Sequence, residues 1–64
     1  MDKPRSEISL LIDEWILNER NRSIVKRRLL DGVTFDRLAE EFDLSTQQVK
    51  TIVYKCRDIL SMHL

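Results

Sequence analysis

Apolar residues recur with the period of an α-helix along most of this chain. Ile8, Leu11, Ile12, Trp15 and Ile16 follow the i, i+3, i+4, i+7, i+8 spacing of one helical face. Ser6 precedes them as a candidate N-cap, whose side-chain oxygen can accept from an unpaired backbone N–H. The spacing predicts a first helix with Trp15 in the core. Leu10 and Leu17 lie off that stripe, seven residues apart, and are either two scattered exposed leucines or a second, outer apolar strip on such a helix. Asn18 to Asn21 interrupts the pattern, and either asparagine can cap a second helix built on Ile24, Val25, Leu29 and Leu30. Gly32 follows where a helix ends most easily in a left-handed residue, since glycine has no Cβ to clash. Thr34 reads as the N-cap of a short third helix carrying Phe35, Leu38, Ala39 and Phe42, with Asp36 near the positive end of its dipole. Asp43 and Leu44 make a tight break. Ser45, with Gln48 three residues on, has the signature of a capping box. It opens a fourth helix with Val49, Ile52, Val53, Cys56 and Leu60 on one side, running to about Ser61.

The expected fold is therefore all-α, a single four-helix domain over residues 1–64. Breakers are scarce, with Pro4 the only proline and Gly32 the only glycine, and no segment has a strand pattern bounded by turn signals. At 64 residues the core is small, because a domain near this size buries only about 60% of its unfolded surface. That leaves little room for a catalytic cleft. Asp13-Glu14 and Glu40-Glu41 are adjacent pairs whose members point to different helix faces, so neither is a carboxylate dyad. Cys56 sits on an apolar stripe and reads as a small buried hydrophobe. His63 has no partner at metal-ligand spacing. These residues predict no enzyme, no metal and no cofactor. One cysteine cannot build a disulfide framework, and no run is apolar enough for a membrane span or a signal peptide. The expectation is a cytoplasmic protein without a membrane partner.

Charge changes the picture by its order. Eleven basic and eleven acidic residues give a net charge of zero, which is unusual for a nucleic-acid binder. Yet the blocks alternate: residues 1–19 are acidic, 20–30 carry five cations and no acid, 31–44 are acidic again, and 45–64 are basic. Blocks on separate helices can make separate faces. The alternative is that they neutralise one another in ion pairs between helices.

The segment from Thr34 to Tyr54 is the most informative. Two short helices joined by a tight turn must cross closely. Ala39 supplies the small residue at the crossing, and Asp43 the residue tolerant of positive φ. Val49 and Ile52 return apolar side chains to the crossing, and Leu38, Phe42 and Leu44 complete the small core. Together these predict a helix-turn-helix over about residues 34–61. The carrying strings are RNRSIVKRRLLDGVTF from Arg20 to Phe35, LAEEFDLS from Leu38 to Ser45 and QVKTI from Gln48 to Ile52. In them the chain resembles region four of bacterial sigma factors and small prophage-type regulators built on the same unit, over about Asn18 to Leu60.

That resemblance implies sequence-specific binding of double-stranded DNA by a small transcriptional regulator, with the fourth helix entering the major groove by its N-terminal part. The residues the core stripe leaves outward are Ser45, Thr46, Gln47, Gln48, Lys50, Thr51 and Tyr54, with Lys55 and Arg57 further along. Gln47 and Gln48 suit adenine edges, Lys50 guanine or a phosphate, and Thr46 and Thr51 a phosphate or a thymine methyl. Arg22, Lys26 and Arg27 are candidate phosphate contacts, with pairing to acidic neighbours as the alternative. One small domain covers little DNA, so RNA polymerase or a second copy joined through the first helix, by Leu10 and Leu17, are the expected partners. The competing expectation is a protein-interaction adaptor that keeps this fold and binds polymerase or another regulator instead of DNA. The two differ in whether the cations gather on the surface that exposes Gln47.

Overall fold

A computed structural model describes residues 4–63. Four helices follow in order: α1 (Arg5–Trp15), α2 (Glu19–Leu29), α3 (Phe35–Phe42) and α4 (Thr46–Ser61). There is no strand among the described residues.

Helix α4 is the spine of the fold, because its apolar stripe serves two clusters. Cys56 and Leu60 pack with Ile12, Ile16 and Val25, while Val49 and Val53 pack with Ile24, Leu38 and Ala39. Ile52 touches both clusters. Ile24 and Val25 are neighbours in sequence but belong to different clusters. Successive helical residues point about 100° apart, so α2 can face α1 and α3 at once.

Each junction has a local cause. The Asn18 side chain accepts from the Asn21 N–H at 3.1 Å and starts α2. Gly32 has φ +68°, and an added Cβ would meet nothing within 4 Å, so backbone conformation and not crowding calls for glycine there. The Val33 N–H closes this turn onto the Arg27 carbonyl at 3.1 Å. Thr34 caps α3 by accepting from the Arg37 N–H. Asp43 adopts φ 55°, ψ 48°. The Leu44 N–H then reaches the Ala39 carbonyl at 2.9 Å and the Asp43 N–H the Glu40 carbonyl at 3.4 Å, a Schellman closure in which Leu44 packs back on the helix it ends. At the start of α4 the capping box is complete: Ser45 Oγ accepts from the Gln48 N–H at 3.1 Å, and Gln48 Oε1 accepts from the Ser45 N–H at 2.9 Å.

Three expectations for the first helix need correction. Ser6 is not its cap. Pro4 holds that position at φ −66°, ψ 157°, with no side-chain bond, and its carbonyl accepts from Glu7 and Ile8. Proline has its φ already set, and Arg5 is anchored elsewhere, to the Leu30 carbonyl at 2.7 Å and Asp31 at 3.0 Å. Trp15 is not core: it is 41% exposed and stacks flat on His63, centroids 3.6 Å apart. Ile12 and Ile16 fill the centre of the cluster, which leaves the indole at the edge against the end of α4. Leu10 and Leu17 do not share a helical side, because α1 stops at Trp15 and Ile16 is extended. Both leucines are exposed.

Candidate nucleic-acid interface

The core claims one side of α4 and thereby defines the other. Gln47, Thr51, Tyr54 and Asp58 follow one another at i+4 and i+3 steps along the outward stripe, and all are exposed. Lys50 and Arg57 border the stripe on one side, and Gln48 and Lys55 on the other.

Hydrogen bonding divides these residues further. Gln48 has committed its amide oxygen to the capping box. The Thr46 hydroxyl donates to Asp36 Oδ1 at 3.0 Å, tying α4 to α3. The Thr51 hydroxyl donates to the Gln47 carbonyl at 3.0 Å. Gln47 makes no side-chain hydrogen bond among the described residues, so both ends of its amide are free.

One border of the stripe is built around Phe35. The Arg28 guanidinium lies 4.3 Å above the ring centroid, Lys50 Nζ is 5.8 Å from it, and Tyr54 meets the ring edge-on at 5.9 Å. Arg57 in turn stands 5.7 Å over Tyr54. Cations over aromatic faces are attracted by the ring quadrupole, so Arg28, Lys50 and Arg57 gather into one cationic flank with no carboxylate ion pair among the described residues. Asp36 adjoins its Lys50 end. On the other border Arg20 lines a recess with Ser45, Gln47, Gln48 and Thr51.

The remaining cations of α2 go elsewhere. Lys26 pairs with Asp13 of α1 at 2.7 Å, and Arg27 pairs with Glu41 of α3 at 3.0 Å, where Arg37 also approaches at 3.7 Å. Arg22 stands one turn before Lys26, on the side of α2 that meets α1. These three candidates are therefore not brought to the α4 stripe, and Lys26 and Arg27 take the interhelical pairing that was the alternative for them. Arg28, Arg20 and Phe35 were not among the expected site residues. Arg28 had a signal in the sequence: it follows Ile24 by four and Val25 by three, which puts it on the side of α2 turned to the core and α4.

An α-helix with its cations on the borders, a free amide at its exposed N-terminal turn and a crossing helix behind it has the shape of a DNA-reading unit. A family model described as sigma-70, region 4 matches residues 16–61. The chain belongs to the sigma-70 region 4 family. Domains of this family are DNA-binding helix-turn-helices and not enzymes, and they bind RNA polymerase as well as DNA. No curated protein and no solved structure matches the chain. The match covers α2, α3 and α4 and begins after α1, so the region 4 unit holds the whole α4 interface.

No group of three or more ligating side chains that could hold a metal occurs among the described residues. Among the described residues no helix is long and apolar enough to cross a membrane. Cys56 is buried and free, and its burial pushes the thiol pKa up, away from the reactive thiolate.

Proposed function

We propose that this region 4 domain binds double-stranded DNA sequence-specifically as a small transcriptional regulator, with the N-terminal turns of α4 in the major groove. One observation carries this: Arg20, Arg28, Lys50, Lys55 and Arg57 border the α4 stripe that exposes Gln47 and make no ion pair among the described residues, whereas Lys26 and Arg27 on other faces are neutralised and Arg22 lies on the α1 side of α2. A major groove is walled by two phosphate backbones. Arg28, Lys50 and Arg57 suit one wall, and Arg20 and Lys55 the other. Backbone N–H groups at the start of α4 add a favourable field for a phosphate. Asp58 places a negative charge on the same stripe beyond Tyr54, which confines base contact to the N-terminal turns and leaves Lys55 and Arg57 to the phosphates.

A single domain of this size buries little surface on DNA, and specific regulators usually bury roughly 1,000–2,500 Å². We assign RNA polymerase as the partner that supplies the remaining affinity, and the cytoplasm as the place of action. The test is fluorescence anisotropy with a randomised duplex across a salt series. Steep weakening with salt supports phosphate contact. No binding at low salt, with the domain shown folded by its helical signal, would move the assignment to the protein-interaction adaptor.

A further inference from the structure

We propose that the Gln47–Thr51 pair on α4 makes this domain a reader of A·T base pairs in the major groove. The inference rests on the DNA-binding assignment above and deepens it. Guanine shows two acceptors in the major groove and is matched by a side chain with donors only, arginine or lysine. Adenine shows one acceptor and one donor and is matched by an amide, and thymine adds a methyl group.

Lys50, the cation of α4 nearest Gln47, is held toward Phe35 at the border of the stripe, so its charge meets the groove wall and not its floor, and Arg57 stands over Tyr54, beyond the N-terminal turns. Two amides stand at the start of the helix, but Gln48 has its oxygen 2.9 Å from the Ser45 N–H and cannot offer a donor and an acceptor together. Gln47 can. One turn on, Thr51 gives its only hydroxyl proton to the Gln47 carbonyl at 3.0 Å. It therefore has no donor left for a guanine acceptor, and its methyl is the uncommitted end. The same bond fixes the Thr51 rotamer one turn from Gln47, so a held methyl and a free amide stand together as one recognition unit. An adenine for the amide and a thymine methyl for the threonine match that unit.

The experiment is selection from a randomised duplex pool, followed by anisotropy with the enriched duplex and its analogues. The expected result is an enriched motif containing an A·T pair whose exchange for G·C weakens binding by about 5- to 150-fold, the span of one good bidentate contact. Gln47→Ala should relax that preference. Replacing the thymine by deoxyuridine, which removes only the methyl, should weaken binding of the unaltered protein but not of Thr51→Ser. The base analogue leaves the protein untouched, so a folding defect in a variant cannot imitate the result. A motif fixed by G·C pairs, or equal affinity for thymine and uracil duplexes, overturns the A·T assignment while leaving DNA binding standing. Absence of binding to any duplex at low salt overturns both.

Discussion

The two sets of α2 cations give opposite predictions for the salt dependence of DNA binding. If Arg20, Arg28, Lys50, Lys55 and Arg57 each neutralise one phosphate, log K should fall against log salt with a slope of about −4.5, each contact contributing about −0.9. Affinity would then drop by roughly 500-fold between 50 and 200 mM salt. Arg28→Gln should flatten the slope to about −3.6, a drop of roughly 150-fold over the same range. Lys26→Gln and Arg27→Gln should leave the slope near its original value, since these residues face Asp13 and Glu41. Both pairs are on the surface, where such contacts contribute about 0–1 kcal/mol, so these variants remain folded controls. Arg28 also packs on Phe35 and donates to the Val33 carbonyl at 3.2 Å, so its loss has a structural component. Arg28→Lys separates the two effects: it keeps the charge, and hence the slope, while giving up the planar stacking. The assay is anisotropy on a labelled random duplex with a melting curve for each variant. An unchanged slope in Arg28→Gln, or equal flattening in Lys26→Gln, would refute the division of the α2 cations.

Three further predictions concern the scaffold. Ala39 is 7% exposed in the cluster where α3 crosses α4. Ala39→Leu should overpack that crossing at a cost of ~1–3 kcal/mol, lowering the thermal midpoint by about 4–8 °C per kcal/mol; an unchanged midpoint by circular dichroism would show that the side chain can escape the crossing. Ser45→Ala should cost ~1 kcal/mol by opening the capping box, and Gln48→Ala less, since the serine contact to the helix N–H survives; equal midpoints for Ser45→Ala and the parent would count against the cap. Burial of Cys56 means that the folded chain holds the thiol proton more tightly than the unfolded chain. Stability from this source is complete below the ordinary thiol range and declines as pH rises through and above it. Iodoacetamide at neutral pH should therefore label Cys56 only as fast as the domain opens, and rapid labelling of the folded domain would contradict its burial.

The helices and their ends were legible because each rests on a local rule. Asn18, Thr34 and Ser45 each accept from an N–H three residues on, and Gly32 and Asp43 take left-handed positions. Such features need only a side chain and its nearest backbone. The first helix was read less well for the converse reason. Its start is fixed by Arg5 reaching Leu30 and Asp31, about two dozen residues away, and Trp15 finds His63 at the far end of α4. The α4 stripe was legible as a period, but not its chemistry. That Gln48 and Thr51 are engaged follows from rotamers, and that Lys50 leans to Phe35 follows from how α3 lies against α4.

The neutral overall charge looked like an argument against DNA binding, and the structure changes its weight. Asp13 of α1 meets Lys26, Glu41 of α3 meets Arg27 and Arg37, and Asp31 meets Arg5. These acids therefore face cations that lie away from the α4 stripe. Arg20, Arg28, Lys50, Lys55 and Arg57 at the stripe make no ion pair among the described residues, nor does Arg22 on the α1 side of α2. Nucleic-acid contact depends on the field at the approaching surface, because charges more than about 8–10 Å apart in solvent are largely screened at physiological salt. Net charge is then a poor guide to this domain. Its α2 carries cations of both kinds, with Arg28 turned to α4 and Lys26 and Arg27 turned to neighbouring acids. The order of charges around one helix, and not their total, supports the DNA-facing assignment.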